Sequence, residues 1–137
     1  MNSKNLFIFN SLTCLFFGIP LLFIPGIMIG QYLMPGDSLT PITNLMTQAY
    51  GGMLIMVGII LWIARGADNP STSRTALLWS VLAGNVIALY VWISGFTEGL
   101  INNMIFGSFV IISITALWAA YLLFIKKENG ISTKIAA

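Results

Sequence analysis

Four apolar runs, residues 6–29, 42–65, 75–94 and 104–125, alternate with three short polar segments. Each is about twenty residues or slightly longer, enough for a helix to cross a hydrocarbon layer of about 30 Å. The pattern predicts an all-α integral membrane protein, one domain folded as a four-helix bundle. The third run organises this expectation. Its stretch TALLWSVLAGNVIALYVW, residues 75–92, carries no charge, and Ala76, Ser80, Gly84 and Ala88 recur at every fourth position. Such a ridge of small residues lets another helix approach closely. Asn85, beside the ridge, is the one strongly polar side chain in the middle of that run.

The other runs carry their own faces. Asn44, Gly51, Gly58 and Arg65 are spaced by sevens, with Thr47 on the same side. That period favours left-handed packing at a shallow angle, whereas the four-residue ridge allows a closer right-handed crossing. In the fourth run Ser108, Ile112, Thr115 and Ala119 share one face. Different neighbours on different faces imply a compact assembly of helices.

Turn chemistry marks the ends. Pro20 and Pro25 each remove a backbone donor and crowd the carbonyl four residues earlier, so a kink is expected and Pro25-Gly26 is a candidate stop. A signal peptide with Lys4 as its basic start competes for the first run. The length of the run and the lack of a small-x-small cleavage site favour a span. Pro35-Gly36-Asp37 is a turn signal, and Thr40-Pro41 reads as the N-cap and first position of the second helix. RGADNPSTSR, residues 65–74, is a hydrophilic loop, GFTEGLINN, residues 95–103, is a tight turn, and Lys126-Lys127 stops the fourth span.

The basic residues supply orientation. Lys4 precedes the first span, Arg65 and Arg74 lie between the second and third, and Lys126, Lys127 and Lys134 follow the fourth, so all six fall on one side. The positive-inside rule then places both termini in the cytoplasm, with a bacterial inner membrane as the expected location. Trp62, Trp79, Trp118 and Tyr121 gather near the basic side, and Tyr32, Tyr50, Tyr90 and Trp92 near the other, as two interfacial belts. Arg65, Arg74, Lys126 and Lys127 are thus the candidates for fixing topology or meeting lipid headgroups.

Composition agrees with lipid as the solvent. Hydrophobic residues make up 58% of the 137-residue chain and charged residues 7%, and the mean hydropathy is +0.93. A soluble domain of this size is about one-quarter charged. A net charge of +2, scattered along the chain, gives no footprint for nucleic acid. Cys14 is the single cysteine and histidine is absent, so an intrachain disulfide, a Cys-rich metal site and the commonest general base are all excluded.

Little remains that could carry chemistry. Asp37 and Glu98 sit in the two outer segments, and Asp68 and Glu128 in the cytoplasmic ones. Proton-coupled transport ordinarily needs an ionisable group inside the membrane. The small multidrug exporters, also four-span, depend on a glutamate in their first helix, where this chain offers only Asn10, Ser11, Thr13 and Cys14. Asp37 and Glu98 could together hold a cation, but two solvated loop carboxylates are the simpler reading. Asn85 could bind a buried quinone or sterol headgroup, or bond across to Ser108, Ser113 or Thr115 of a neighbouring helix. Cys14 reads as an inert buried thiol. The aromatic residues of the first span, Phe7, Phe9, Phe16, Phe17 and Phe23, read as helix packing or lipid contacts. Nothing calls for a cofactor.

Tyr50-Gly51-Gly52, Gly58, Ala64-Arg65, Arg74 with Ala76-Leu77, and Glu98-Gly99 together resemble a group of small bacterial four-span proteins, a domain of unknown function that looks DoxX-like in architecture. The resemblance covers about residues 44 to 120 and implies the four-span fold. That group tends to carry a Glu shortly before the Tyr-Gly-Gly and an Arg in the third span. Here Asn44-Leu45-Met46 and Tyr90-Val91-Trp92 stand at those places.

The expected function is a non-catalytic accessory or assembly subunit that packs its small faces (Ser80, Gly84, Ala88, Gly51, Gly58, Ser108, Thr115) against other membrane helices. Its partners would be the lipid bilayer and a membrane protein or further copies of itself. The alternative is a binder of a lipophilic small molecule, a lipid or quinone, held within the bundle in a pocket formed by Asn85 and the proline kink of the first span.

Overall fold

The computed structural model describes residues 2–66 and 71–126. Its helices are α1 (Ser3–Phe23), α2 (Pro25–Gly30), α3 (Pro41–Ala64), α4 (Thr72–Thr97) and α5 (Ile105–Ala120), the last prolonged by a π-helical turn, Tyr121–Ile125. Four of them, α1, α3, α4 and α5 with its π turn, are long and apolar enough to cross a membrane. Lys127, Glu128, Lys134 and Asp68 lie outside the described residues.

The first span is shorter than the apolar run 6–29 predicts. α1 stops at Phe23, Ile24 leaves the helical region at φ −134° and ψ 51°, and α2 restarts with Pro25 at its first position. Pro25 offers no N–H to the carbonyl of Leu21, and its ring disfavours helical backbone in the residue before it. Pro20 is accommodated inside α1. The second long helix begins as its caps predict: the Thr43 N–H donates to Thr40 Oγ1, with Pro41 at the first helical position. α4 is capped in the same way by Ser71, which accepts from the Arg74 N–H.

α1 packs most closely on α3, and α4 on α5, while α1 also meets α5 and α2 rests on α1 and α3. No comparable contact joins α3 to α4. The α1–α3 seam is built from small residues on both helices. Phe7, Ser11, Cys14, Gly18 and Leu21 are buried along α1 in steps of four and three, facing Thr47, Gly51, Gly58 and Leu61 of α3. A Cβ on Gly51 would lie 2.6 Å from the Leu22 backbone nitrogen and 2.8 Å from the Gly18 carbonyl oxygen. Across the same seam Ser11 Oγ donates to the Gly58 carbonyl at 2.6 Å.

The expectation of a close crossing at the α4 ridge is corrected by this packing. A Cβ on Gly84 would meet nothing within 4 Å, and Ser80 is exposed, its hydroxyl returned to the Ala76 carbonyl. The physical reason lies in pairing: close approach needs small residues on both helices, and those of α3 are already spent on α1.

The helices close at one end only. Leu6 and Phe7 of α1, Leu61 of α3, Leu78 and Val81 of α4, and Ala119, Leu122 and Leu123 at the end of α5 form one buried cluster. It lies at the end that carries Lys4, Arg65, Arg74 and Lys126. Outward-facing side chains are apolar over the lengths of the helices, among them Phe16, Ile63, Tyr90 and Leu117, each more than two-thirds exposed. Such a surface suits lipid and not water.

Candidate functional site

Beyond that plug the helices stand apart and line a half-open cavity of about 710 Å³. α1 contributes Asn10, Thr13, Cys14, Phe17 and Leu21. α3 contributes a face from Thr43 through Tyr50 and Leu54 to Leu61. α4 contributes Leu77, Ser80, Gly84, Asn85, Ala88 and Trp92, and α5 contributes Ser108, Ile111, Ile112 and Thr115. Met28 and Ile29 of α2, with Tyr32, line its other end. The α3 and α4 faces look at each other across this space, which is why no seam forms between them.

Most of the lining is apolar, with a few hydrogen-bonding groups at separate heights. The deep group is centred on Asn85. Its Nδ2 donates to the Val81 carbonyl one turn back at 2.7 Å, and its Oδ1 accepts from Thr115 Oγ1 at 3.0 Å. Thr115 Oγ1 also lies 3.0 Å from the Ile111 carbonyl and 2.9 Å from that of Ile112. A hydroxyl has one proton, so these three acceptors compete for it. Asn85 keeps one N–H uncommitted beside the cavity. Of the three hydroxyls proposed from the sequence as its partner, Thr115 is the one that meets it.

The second polar group belongs to the end remote from the plug. Tyr32 stacks at a tilt on Trp92, centroids 6.0 Å apart, and its hydroxyl is 3.5 Å from Ser108 Oγ. Ser108 is therefore directed at Tyr32 and not at Asn85. Asn102 holds this end together: its side-chain amide donates to the carbonyls of Gln31 (2.8 Å) and Leu33 (2.7 Å), and its own N–H donates to the Tyr32 carbonyl (2.9 Å). The two outer segments are thus joined around one amide, a role that the sequence reading missed. An Asn in a turn is too common for its spacing alone to reveal it.

Arg74 does not sit where a headgroup contact requires. It is 5% exposed, with Nε donating to Ser3 Oγ at 2.6 Å and the guanidinium over the Phe7 ring at 5.7 Å. It locks the start of α4 to the start of α1. Arg65 stays nearer the surface, its guanidinium 3.5 Å from the Trp62 ring centroid and Nη1 donating to the Trp62 carbonyl. Lys126 is exposed where the π turn ends. Glu98 accepts from Ser94 Oγ at 2.8 Å, and no group of three His, Cys, Asp or Glu gathers among the described residues.

Comparison with family models, curated proteins and solved structures finds no match to this chain. The likeness to DoxX-like proteins rests on the sequence positions alone.

Proposed function

We propose that this chain is a multi-pass membrane protein that binds a lipophilic small molecule, a lipid or quinone, in the space between α3 and α4. The observation that carries the reading is the cavity of about 710 Å³, lined by all four long helices. Its size falls within the range of about 300–1,000 Å³ typical of small-molecule sites, and an apolar wall with a few convergent polar groups is their usual character. The positive-inside rule supports a four-helix bundle with both termini cytoplasmic, in a bacterial inner membrane, and puts the plugged end toward the cytoplasm.

The accessory-subunit expectation draws less support: Gly51 and Gly58 are packed on α1, and Ser80, Gly84 and Ala88 border the cavity. Native mass spectrometry of protein released from mild detergent tests the binding reading. Wild type should retain a lipid or quinone adduct, and Gly84→Leu, which places a side chain in open space, should lose it while still folding. A wild type carrying no adduct, or a Gly84→Leu variant with the same adduct, would refute it.

A further inference from the structure

One cavity residue stands apart from the others. Asn10 is 9% exposed, and its side chain makes no hydrogen bond among the described residues. Its amide atoms still touch open space, since among the described residues the sole fully enclosed side-chain polar atom lacking a partner is Trp118 Nε1, and Asn10 lines the cavity. Native proteins rarely leave a buried amide unsatisfied, because desolvating it costs free energy that a partner must restore. Thr13 and Ser80 are different: their hydroxyls are spent on the Phe9 and Ala76 carbonyls one turn back.

Position adds direction. Asn10 is seven residues beyond Ser3, about 10 Å along α1 from the plugged end. It therefore lies near the floor of a cavity whose walls run from Leu61 to Thr43 on α3, eighteen residues or about 27 Å. That length suits an extended hydrocarbon chain.

Charge narrows the class further. Among the described residues no Asp, Glu, Lys, Arg or His lines the cavity, so a phosphate, carboxylate or ammonium head would be buried without a counter-charge. An amide offers both a donor and an acceptor, which suits a neutral hydroxyl or carbonyl.

We infer that Asn10 is the head-binding residue for an uncharged long-chain molecule with a hydroxyl or carbonyl head. The head sits at the cavity floor, the uncommitted N–H of Asn85 stands further out, and the chain runs outward between α3 and α4. This rests on the cavity-binding function proposed above and identifies the end and chemistry by which the ligand is held. A fatty alcohol, a neutral acylglycerol and an isoprenoid quinone all share that chemistry.

The test is titration of purified full-length protein in mild detergent with oleyl alcohol, monoolein, decylubiquinone and, at pH 9, oleate, followed by native mass spectrometry. At least one neutral probe should bind wild type, and oleate should bind about tenfold more weakly. The neutral probe that binds best identifies the source. Asn10→Leu and the smaller Asn10→Ala should each weaken its binding about tenfold, the scale expected for a lost buried hydrogen bond. Asn10→Leu should leave the unfolding midpoint unchanged or raised, since the amide has no protein partner to lose. Unchanged affinity in both variants would overturn the inference, as would a lowered midpoint in Asn10→Leu or equal binding of oleate; an ordered water would then account for Asn10. If no probe binds wild type, the cavity-binding function itself fails. If probes bind wild type and both variants alike, only the role of Asn10 fails.

Discussion

Two glycines in the long helices should respond in opposite ways to the same methyl group. In Gly51→Ala the new Cβ would sit 2.6 Å from the Leu22 nitrogen, 2.8 Å from the Gly18 oxygen and 2.9 Å from the Leu21 carbonyl carbon, where ordinary contact begins at 3.4 Å. All three are backbone atoms, so no side chain can rotate away and α1 and α3 must part by about 0.8 Å at that level. Overpacking of this kind costs about 1–3 kcal/mol. If the helices part as rigid rods, the 2.6 Å bond from Ser11 Oγ to the Gly58 carbonyl stretches past good geometry, adding about 0.5–1.5 kcal/mol. Alanine's better helix propensity returns about 1 kcal/mol, leaving a net loss of roughly 0.5–3.5 kcal/mol. In Gly84→Ala the Cβ meets nothing, so only the propensity gain remains, up to about 1 kcal/mol. Unfolding by SDS titration from mild-detergent micelles, followed by tryptophan fluorescence, measures both. A neutral Gly51→Ala, or a Gly84→Ala as damaging as Gly51→Ala, would refute the assignment of the tight seam to α1 and α3.

Three further outcomes follow from the polar contacts. Arg74→Lys should destabilise by about 1–3 kcal/mol in the same titration, because an ammonium cannot reproduce the Nε bond to Ser3 together with the stack on Phe7; a silent substitution would return Arg74 to a surface role. Asn85→Leu and Thr115→Val should each cost about 1 kcal/mol and show coupling of about 0.5–1 kcal/mol in a double-mutant cycle, whereas simple additivity would mean that the two side chains do not interact. Asn102→Ala should speed amide exchange at Tyr32, Leu33 and their neighbours by roughly tenfold or more, since it removes two side-chain bonds between the outer segments; unchanged protection would show that those segments are held by something else.

The four long helices were legible because their apolar runs are long and their breaks are chemically sharp. Thr40-Pro41 announced the start of α3 by residue type, and Thr115 could be named beforehand as one of three partners for Asn85. Which faces meet was not legible in the same way. The Ala76-Ser80-Gly84-Ala88 ridge has the stronger repeat, yet the seam formed where α1 could answer α3 with Ser11, Cys14 and Gly18. Helix pairing depends on both surfaces, and a pattern read on one helix omits half of it. The four-and-three spacing of Phe7, Ser11, Cys14, Gly18 and Leu21 was the available signal, hidden because the residues differ so much in type. Asn10 was visible as a polar residue in an apolar run. Its lack of a partner is a property of the packing and has no trace in the sequence.

The same pairing rule accounts for the cavity. In water an apolar gap between two helices would close, since closing it removes hydrocarbon surface from solvent. In lipid that driving force is absent, and helices associate through close packing and hydrogen bonds. α3 has spent Gly51 and Gly58 on α1 and turns Met46, Tyr50, Leu54 and Val57 toward the gap. α4 presents the small surface of Ser80, Gly84 and Ala88, but bulky side chains opposite it keep the two backbones apart. The plug of Leu6, Phe7, Leu61 and Leu78 then fixes the spacing at one end, and the Asn102 contacts tie the outer segments at the other. A gap held from both ends, lined among the described residues by no Asp, Glu, Lys or Arg and carrying at its floor an amide without a protein partner, favours a neutral hydrocarbon-soluble guest over an ion path.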